Sequence, residues 1–230
     1  CTNRIPHSRG LGSSASAIVA GVTLARALIG DADVLGRQEI LEIGSHMEGH
    51  PDNVAPAVFG GATVSWMNEE TSEVGSVRLT PPEGINPVAF IPDFELRTAA
   101  ARAALPATVP HGDASFNVAR GALLAAVLSG GAQVSGGADL HALLMEATRD
   151  RLHQEQRRAA MEPSLALVDW LRGAGFAAVV SGAGPTVLSL EKVGADIRRD
   201  AAGAGWRVVP LAVAASGVQI TRGSLAKVEF

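Results

Sequence analysis

The order of apolar and polar positions divides the chain into helical stretches and short strand-like runs punctuated by Gly and Pro. Residues 14–29 are apolar almost all round, which predicts a buried helix with Ser13 or Ser14 at its N-cap and Gly30 at its end. Ile40, Leu41, Ile43 and Met47 share one face of a second predicted helix over 37–47. The turn-rich Gly49-His50-Pro51-Asp52-Asn53 opens a short helix over 54–59, and Gly60-Gly61 leads into a strand over 62–67. Residues 68–87 are polar and hold Pro81, Pro82, Gly84 and Pro87, so the domain boundary is expected here, dividing 1–84 from 85–230. Beyond it the pattern predicts a strand over 88–91 and helices near 96–105, 113–129, 138–150 and 163–172. Strands over 176–181 and 186–190 flank Gly182-Ala183-Gly184-Pro185. A helix near 194–203 and strands near 206–213 and 217–221 follow. Trp66, Trp170 and Trp206 read as core or helix–sheet packing. The irregular alternation predicts an α+β fold with helices on one face of mostly antiparallel sheets.

Composition narrows the function. With 230 residues, 47% hydrophobic and 18% charged, the chain can bury a sizeable core and is not disordered. A net charge of -4 argues against broad nucleic-acid or anionic-membrane binding. The uncharged stretch 121–138 is broken by Ser129, Gly130, Gly131 and Gln133, so no membrane span is expected. The single cysteine excludes an internal disulfide framework and any Cys-based metal cluster. No secretory signal is visible, and a cytoplasmic location is the expectation. The opening Cys1-Thr2-Asn3-Arg4-Ile5 reads as the end of a strand, so a preceding N-terminal segment is expected.

The chemistry concentrates in Pro6-His7-Ser8-Arg9-Gly10-Leu11-Gly12-Ser13-Ser14-Ala15-Ser16. Glycines let several N–H groups converge on one concavity, and the helix that follows offers unpaired N–H groups and partial positive charge to the same anion. The Ser13 and Ser14 hydroxyls can reach a phosphate oxygen or a metal. No Lys follows in a Gly-Lys-Ser/Thr ending, so this is not a Walker A loop. It lacks the third Gly and βαβ setting of a dinucleotide fingerprint.

Pro6-x-x-x-Gly10-Leu11-Gly12-Ser13-Ser14-Ala15 resembles the second motif of the GHMP kinases. Val180-Ser181-Gly182-Ala183-Gly184-Pro185-Thr186 resembles their third, with Ala183 where Ser is usual. His50-x-Asp52-Asn53-Val54-Ala55-Pro56-Ala57-Val58-Phe59-Gly60-Gly61 resembles the homoserine kinase branch. The family's first motif would lie upstream of Cys1. The resemblance implies a two-domain GHMP kinase fold, a truncated ribosomal-protein-S5-like N-terminal domain followed by a ferredoxin-like C-terminal domain. It implies ATP at Pro6, Arg9, Gly10, Leu11, Gly12, Ser13, Ser14, Ala15 and Ser16, with Mg²⁺ on Ser14 and one Glu. Glu39, Glu42 and Glu48 are candidates; the family's eleven-residue spacing to Asn53 selects Glu42, leaving Glu48 a helix-end charge. The implied substrate is L-homoserine, phosphorylated on its hydroxyl in a step toward threonine.

Asn53 stands where related kinases carry Asp. It cannot accept a proton at neutral pH but can orient a hydroxyl, which implies direct transfer without a side-chain base. Asp52 is a rival base or an Asx-type turn former. His50 resembles a substrate-contacting residue. The substrate carboxylate calls for arginine. Thr98 and Arg102, at i and i+4 on one helix face, resemble the Thr-x-x-x-Arg pattern of homoserine kinases. Leu152-His153-Gln154-Glu155-Gln156-Arg157 resembles the string with the second Arg, departing at Glu155-Gln156 and leaving Arg158 an alternative. Gly182 and Gly184 allow the backbone close to substrate. The alternatives are a GHMP kinase for another small alcohol and an inactive nucleotide-binding fragment. A homodimer is one state the sequence allows, and residues 1–230 alone are expected to be inactive.

Overall fold

The structure is a computed structural model that describes residues 2–29, 35–131 and 137–221. The chain forms two compact units, Cys1–Ser13 with Leu79–Val213 and Ser14–Arg78 with Ala214–Phe230. This differs from a single cut after residue 84, because backbone hydrogen bonds draw each end of the chain back into a unit. Ser8 O accepts from Leu96 N at 3.1 Å and Arg9 O from Thr186 N at 3.3 Å. In the other unit, Ala214 O accepts from Gly61 N at 2.7 Å and Val218 N donates to Ala57 O at 2.8 Å.

The larger unit is built on an antiparallel sheet of β3 (Ile85–Ile91), β4 (Ala178–Val180), β5 (Val187–Glu191) and β6 (Arg207–Pro210), ordered β4-β5-β3-β6. Central β3 sets Ala89 opposite Leu188 on one side and Val209 on the other. Its Val88 and Phe90 pack with Leu167, Val168 and Leu171 of α7 (Glu162–Gly173) and Ala201 of α8 (Ala195–Gly203). A second cluster joins Val127 of α5 (His111–Leu128), Leu144 of α6 (Leu140–Ala147) and Ala177. Short α4 (Thr98–Ala103) and a 3-10 helix, Glu155–Ala160, complete the unit. That 3-10 turn carries no apolar periodicity and was not expected.

In the smaller unit, α1 (Ser13–Ile29), α2 (Arg37–Glu48) and α3 (Val54–Phe59) bury Ala15, Val19, Ile40, Leu41, Val54, Ala55 and Val58 together with Val74. The end of α1 expected at Gly30 lies outside the described residues. Gly44 admits this packing: a Cβ there would lie 2.8 Å from Val54 Cγ1 and 3.8 Å from Ile18 and Val19. The start of α1 therefore lies beside the end of α2.

β1 (Ala62–Met67) pairs with β2 (Val74–Leu79), a strand inside the run expected to hold the domain boundary. Asn68 closes the connection, its Oδ1 accepting from Glu70 N and Thr71 N. The predicted strand over 217–221 does not form, since Val218 N makes a single bond and no ladder follows. Trp66 and Trp170, expected inside, are 52% and 40% exposed. The Trp66 indole instead lies across Gly75, where a Cβ would stand 2.2 Å from the ring. Trp206 does pack against the sheet cluster. No described helix is long and apolar enough to cross a membrane.

Candidate active site

In the larger unit, residues 8–12 turn on backbone angles that favour glycine: φ is +71° at Gly10, +70° at Gly12 and +53° at Ser8. A Cβ at Gly10 would stand 2.2 Å from Ser181 O and 2.8 Å from Gly184 O. The glycine expected to admit a phosphate is therefore demanded at position 10 by another backbone segment. Ser181 Oγ donates to Gly10 O at 2.7 Å, tying the two glycine-rich strings into one structure. Gly184, at φ +83°, clears the Met161 sulfur, and Ser164 Oγ donates to Pro185 O at 2.6 Å. Gly182 stays exposed, whereas Gly184 is buried.

Arg9, expected at the nucleotide, is occupied within the protein. Its Nε donates to Pro92 O at 3.0 Å and Nη2 to Asp93 O at 2.7 Å. Nη1 donates to His7 O at 3.0 Å and to Glu95 at 3.2 Å. With four donor contacts engaged and 17% of the side chain exposed, the guanidinium braces the loop. Ser13 is also held: it accepts from Asn3 Nδ2 at 3.0 Å and lies 3.1 Å from His7 Nδ1. Neither Asn3 nor His7 belongs to the spacing of the glycine string, so the sequence carries no signal for them. Pro6 and Leu11 are half-buried.

In the smaller unit, Ala15 is fully buried in the core, so only its backbone can serve a ligand, and Ser16 is half-buried. Ser14 is exposed and donates through Oγ to Glu48 Oε2 at 2.8 Å. Glu42, selected above by counting, is not brought to Ser14. Its Oε1 accepts from Gln38 Nε2 at 2.9 Å, and that amide also donates to Val74 O. Six residues along a helix separate Glu42 from Glu48 by about 9 Å of rise and about 120° of rotation. In this structure the α1–α2 packing sets Glu48, at the end of α2, against Ser14.

Mg²⁺ takes octahedral oxygen ligands at about 2.0–2.1 Å, so neighbouring ligands stand about 2.9 Å apart. Ser14 Oγ and Glu48 Oε2, 2.8 Å apart, are held by a hydrogen bond, and two neighbouring ligands of such an ion would stand at a similar separation. Glu39, the third candidate, stands in the first turn of α2, away from this end. Among the described residues, no group of three or more His, Cys, Asp or Glu is gathered for a metal.

Next in the chain, Asp52 orders the turn as an Asx former. Its Oδ1 accepts from Asn53 N at 2.7 Å and Asn53 Nδ2 at 3.2 Å. His50 Nδ1 lies 2.7 Å from the same oxygen, in an approach misaligned for a hydrogen bond. Asn53 stands exposed at the N-cap of α3, where its side chain makes no capping bond.

In the larger unit, Thr98 and Arg102 are exposed on α4, while Ala101 is buried and its carbonyl accepts from Arg157 Nε at 3.0 Å. Arg157 Nη1 reaches Gly182 O at 3.4 Å. Only 8% of Arg157 is exposed. Burial lowers its pKa below the ordinary guanidinium value, the Asp150 carboxylate opposes this, and the positive Arg102 lowers it further. Arg158 is committed elsewhere, donating to Glu155 at 2.8 Å and pairing with Asp169 at 3.0 Å. Of the two alternatives, Arg157 alone faces Ala101 and Gly182.

Comparison with known proteins extends over the same residues. Residues 1–61 match the GHMP kinases N terminal domain and residues 123–202 the GHMP kinases C terminal domain. The homoserine kinase of Streptomyces avermitilis is 46% identical over 222 residues, covering 96% of this chain and 69% of the relative. That of Corynebacterium efficiens is 45% identical over 221 residues, covering 93% and 68%. The crystal structure of homoserine kinase from Cytophaga hutchinsonii superposes with a TM-score of 0.79 at 22% identity, over 94% of this chain and 70% of that one, which shows the shared fold. The chain belongs to the GHMP kinase family, in its homoserine kinase branch.

Proposed function

We propose that this protein transfers the γ-phosphoryl group of ATP to the hydroxyl of L-homoserine, giving O-phospho-L-homoserine, ADP and a proton. The observation that carries the mechanism is the Ser14–Glu48 pair immediately after the glycine loop. Mg²⁺ would be held by Ser14 and Glu48, with nucleotide phosphate oxygens and water as further ligands, and when bound would neutralise phosphate charge. The loop N–H groups of residues 10–16 bind phosphate oxygens, and the first turn of α1 adds partial positive charge.

Arg157 and Arg102 take the substrate carboxylate, with Thr98 on the same face of α4. Gly182 and Gly184 shape the backbone near it. His50 and Asp52 set the turn from which Asn53 orients the hydroxyl. Asn53 holds the hydroxyl by its amide and takes up no proton; that proton passes to a transferred phosphoryl oxygen. Catalysis then consists of positioning and charge stabilisation.

ADP release by the full-length enzyme, with homoserine, mevalonate, galactose and threonine offered in turn, tests the substrate. A homoserine-specific signal is expected. Glu48→Gln should lower kcat by about 100-fold or more, while Glu42→Gln stays within about threefold. Equal damage from both variants, or none from Glu48→Gln, would overturn the assignment of the metal pair. Asn53→Asp regaining a rate that Asn53→Ala has lost would instead require a base at that position.

A further inference from the structure

We propose that Asp150 is a positioning residue for substrate: paired with Asn117, its carboxylate locks residues 150–157 into the conformation that presents Arg157. This rests on Arg157 being the carboxylate ligand of the reaction above.

The carboxylate gathers four donors. Oδ2 accepts from His153 N at 2.8 Å and Gln154 N at 2.7 Å. Oδ1 accepts from Asn117 Nδ2 at 2.7 Å and lies 3.2 Å from His153 Nδ1. Asn117 is engaged on both sides of its amide, because its Oδ1 accepts from Arg151 N at 2.9 Å. One side chain on α5 and one on the loop after α6 therefore clasp the start of the segment.

From there the constraint passes along the chain. Gln154 O accepts from Arg157 N at 3.0 Å, so the residue fixed by Asp150 sets the backbone of Arg157. The Gln154 side chain works in parallel, its Oε1 accepting from Val180 N at 2.7 Å. Val180 immediately precedes the turn whose Gly182 carbonyl receives Arg157 Nη1. A single carboxylate thus fixes both the segment that carries the arginine and the carbonyl that aims it. Asp150 is itself 13% exposed and acts through Arg157, without a role in the chemistry.

Orientation of a buried guanidinium governs how well it meets a carboxylate bidentately, so loosening it should appear in homoserine affinity first. Asn at position 150 would keep one oxygen for the two backbone donors but turn an NH₂ toward the NH₂ of Asn117. The reciprocal exchange, Asn117→Asp with Asp150→Asn, restores a donor facing an acceptor and keeps an acceptor for Arg151 N.

Steady-state kinetics of the full-length enzyme should show homoserine KM raised about 10- to 100-fold in Asp150→Asn, with ATP KM and kcat within about threefold. The double exchange should recover most of the homoserine KM. An unchanged homoserine KM in Asp150→Asn, or equal losses for both substrates that the exchange leaves unrepaired, overturns the proposal. If Asp150→Asn does not fold, Asn117→Ser, which leaves both backbone bonds to Asp150 in place, carries the same KM test with the same two outcomes. Arg157→Ala separates the levels. If it leaves homoserine KM unchanged, the carboxylate assignment itself fails; if it raises KM while Asp150→Asn does not, only the positioning role fails.

Discussion

Gly10→Ala is the most direct test of how the two glycine-rich strings meet. Position 10 has φ +71°, a conformation that costs a non-glycine residue about 1–2 kcal/mol. The added Cβ would also stand 2.2 Å from Ser181 O and 2.8 Å from Gly184 O. Neither neighbour is the end of a flexible side chain, so the backbone must move by about 1 Å, an overpacking cost of about 1–3 kcal/mol. The total is about 2–5 kcal/mol. Gly175 supplies the control: its φ is +89°, but a Cβ there meets nothing within 4 Å. Gly175→Ala should lose only the conformational part. Urea unfolding of the two variants should therefore separate them by about 1–3 kcal/mol, and Gly10→Ala should additionally weaken ATP binding because the loop has shifted. Equal unfolding midpoints for the two variants, with unchanged ATP affinity in Gly10→Ala, would refute the packing argument.

Two further outcomes follow from the arginines and from Asp150. Arg158→Ala removes ion pairs to Glu155 and Asp169 at a partly exposed site, so stability should fall by less than about 1 kcal/mol and homoserine KM should not change; a large KM increase would return Arg158 to candidacy. For Asp150, burial alone would raise the pKa, but the hydrogen bonds from Gln154 N, Asn117 and His153 outweigh it and hold the carboxyl below its ordinary value near 3.8. A carboxyl lowered by folding adds stability that is complete above its unfolded pKa and lost as pH falls through the folded one. The stability gap between the native protein and Asp150→Asn should therefore be constant from pH 7 to about 5 and shrink below pH about 4. A gap that widens on acidification would contradict this.

Local spacing made much of the smaller unit legible, because its helices and their glycines are written in contiguous residues. The bounds of α3 and β1 coincide with the turn signals Pro51-Asp52-Asn53 and Gly60-Gly61. β2 shows why a local signal can also mislead: Val74, Ser76 and Arg78 alternate with Gly75, Val77 and Leu79, but the prolines just beyond make the whole run look like a domain boundary. What spacing could not supply was the partner across the fold. Arg9 looks like a phosphate ligand in a basic, glycine-rich loop, yet its acceptors are carbonyls at Pro92 and Asp93, more than 80 residues away. Residues 217–221 have strand-like residues but find one backbone bond, to Ala57, and close contact of Gly217 with Val58 in place of a ladder.

Glu42 and Glu48 sharpen the point. A residue count assumes that the intervening loop keeps its length, and it selected Glu42. Packing obeys geometry instead: the start of α1 lies beside the end of α2, where Glu48 is the terminal residue and accepts from Ser14. Asp150 follows the same rule, since its carboxylate matters through Asn117, 33 residues earlier, and through Arg157, seven later. Where two side chains are joined by packing, topology predicts the pair better than spacing does.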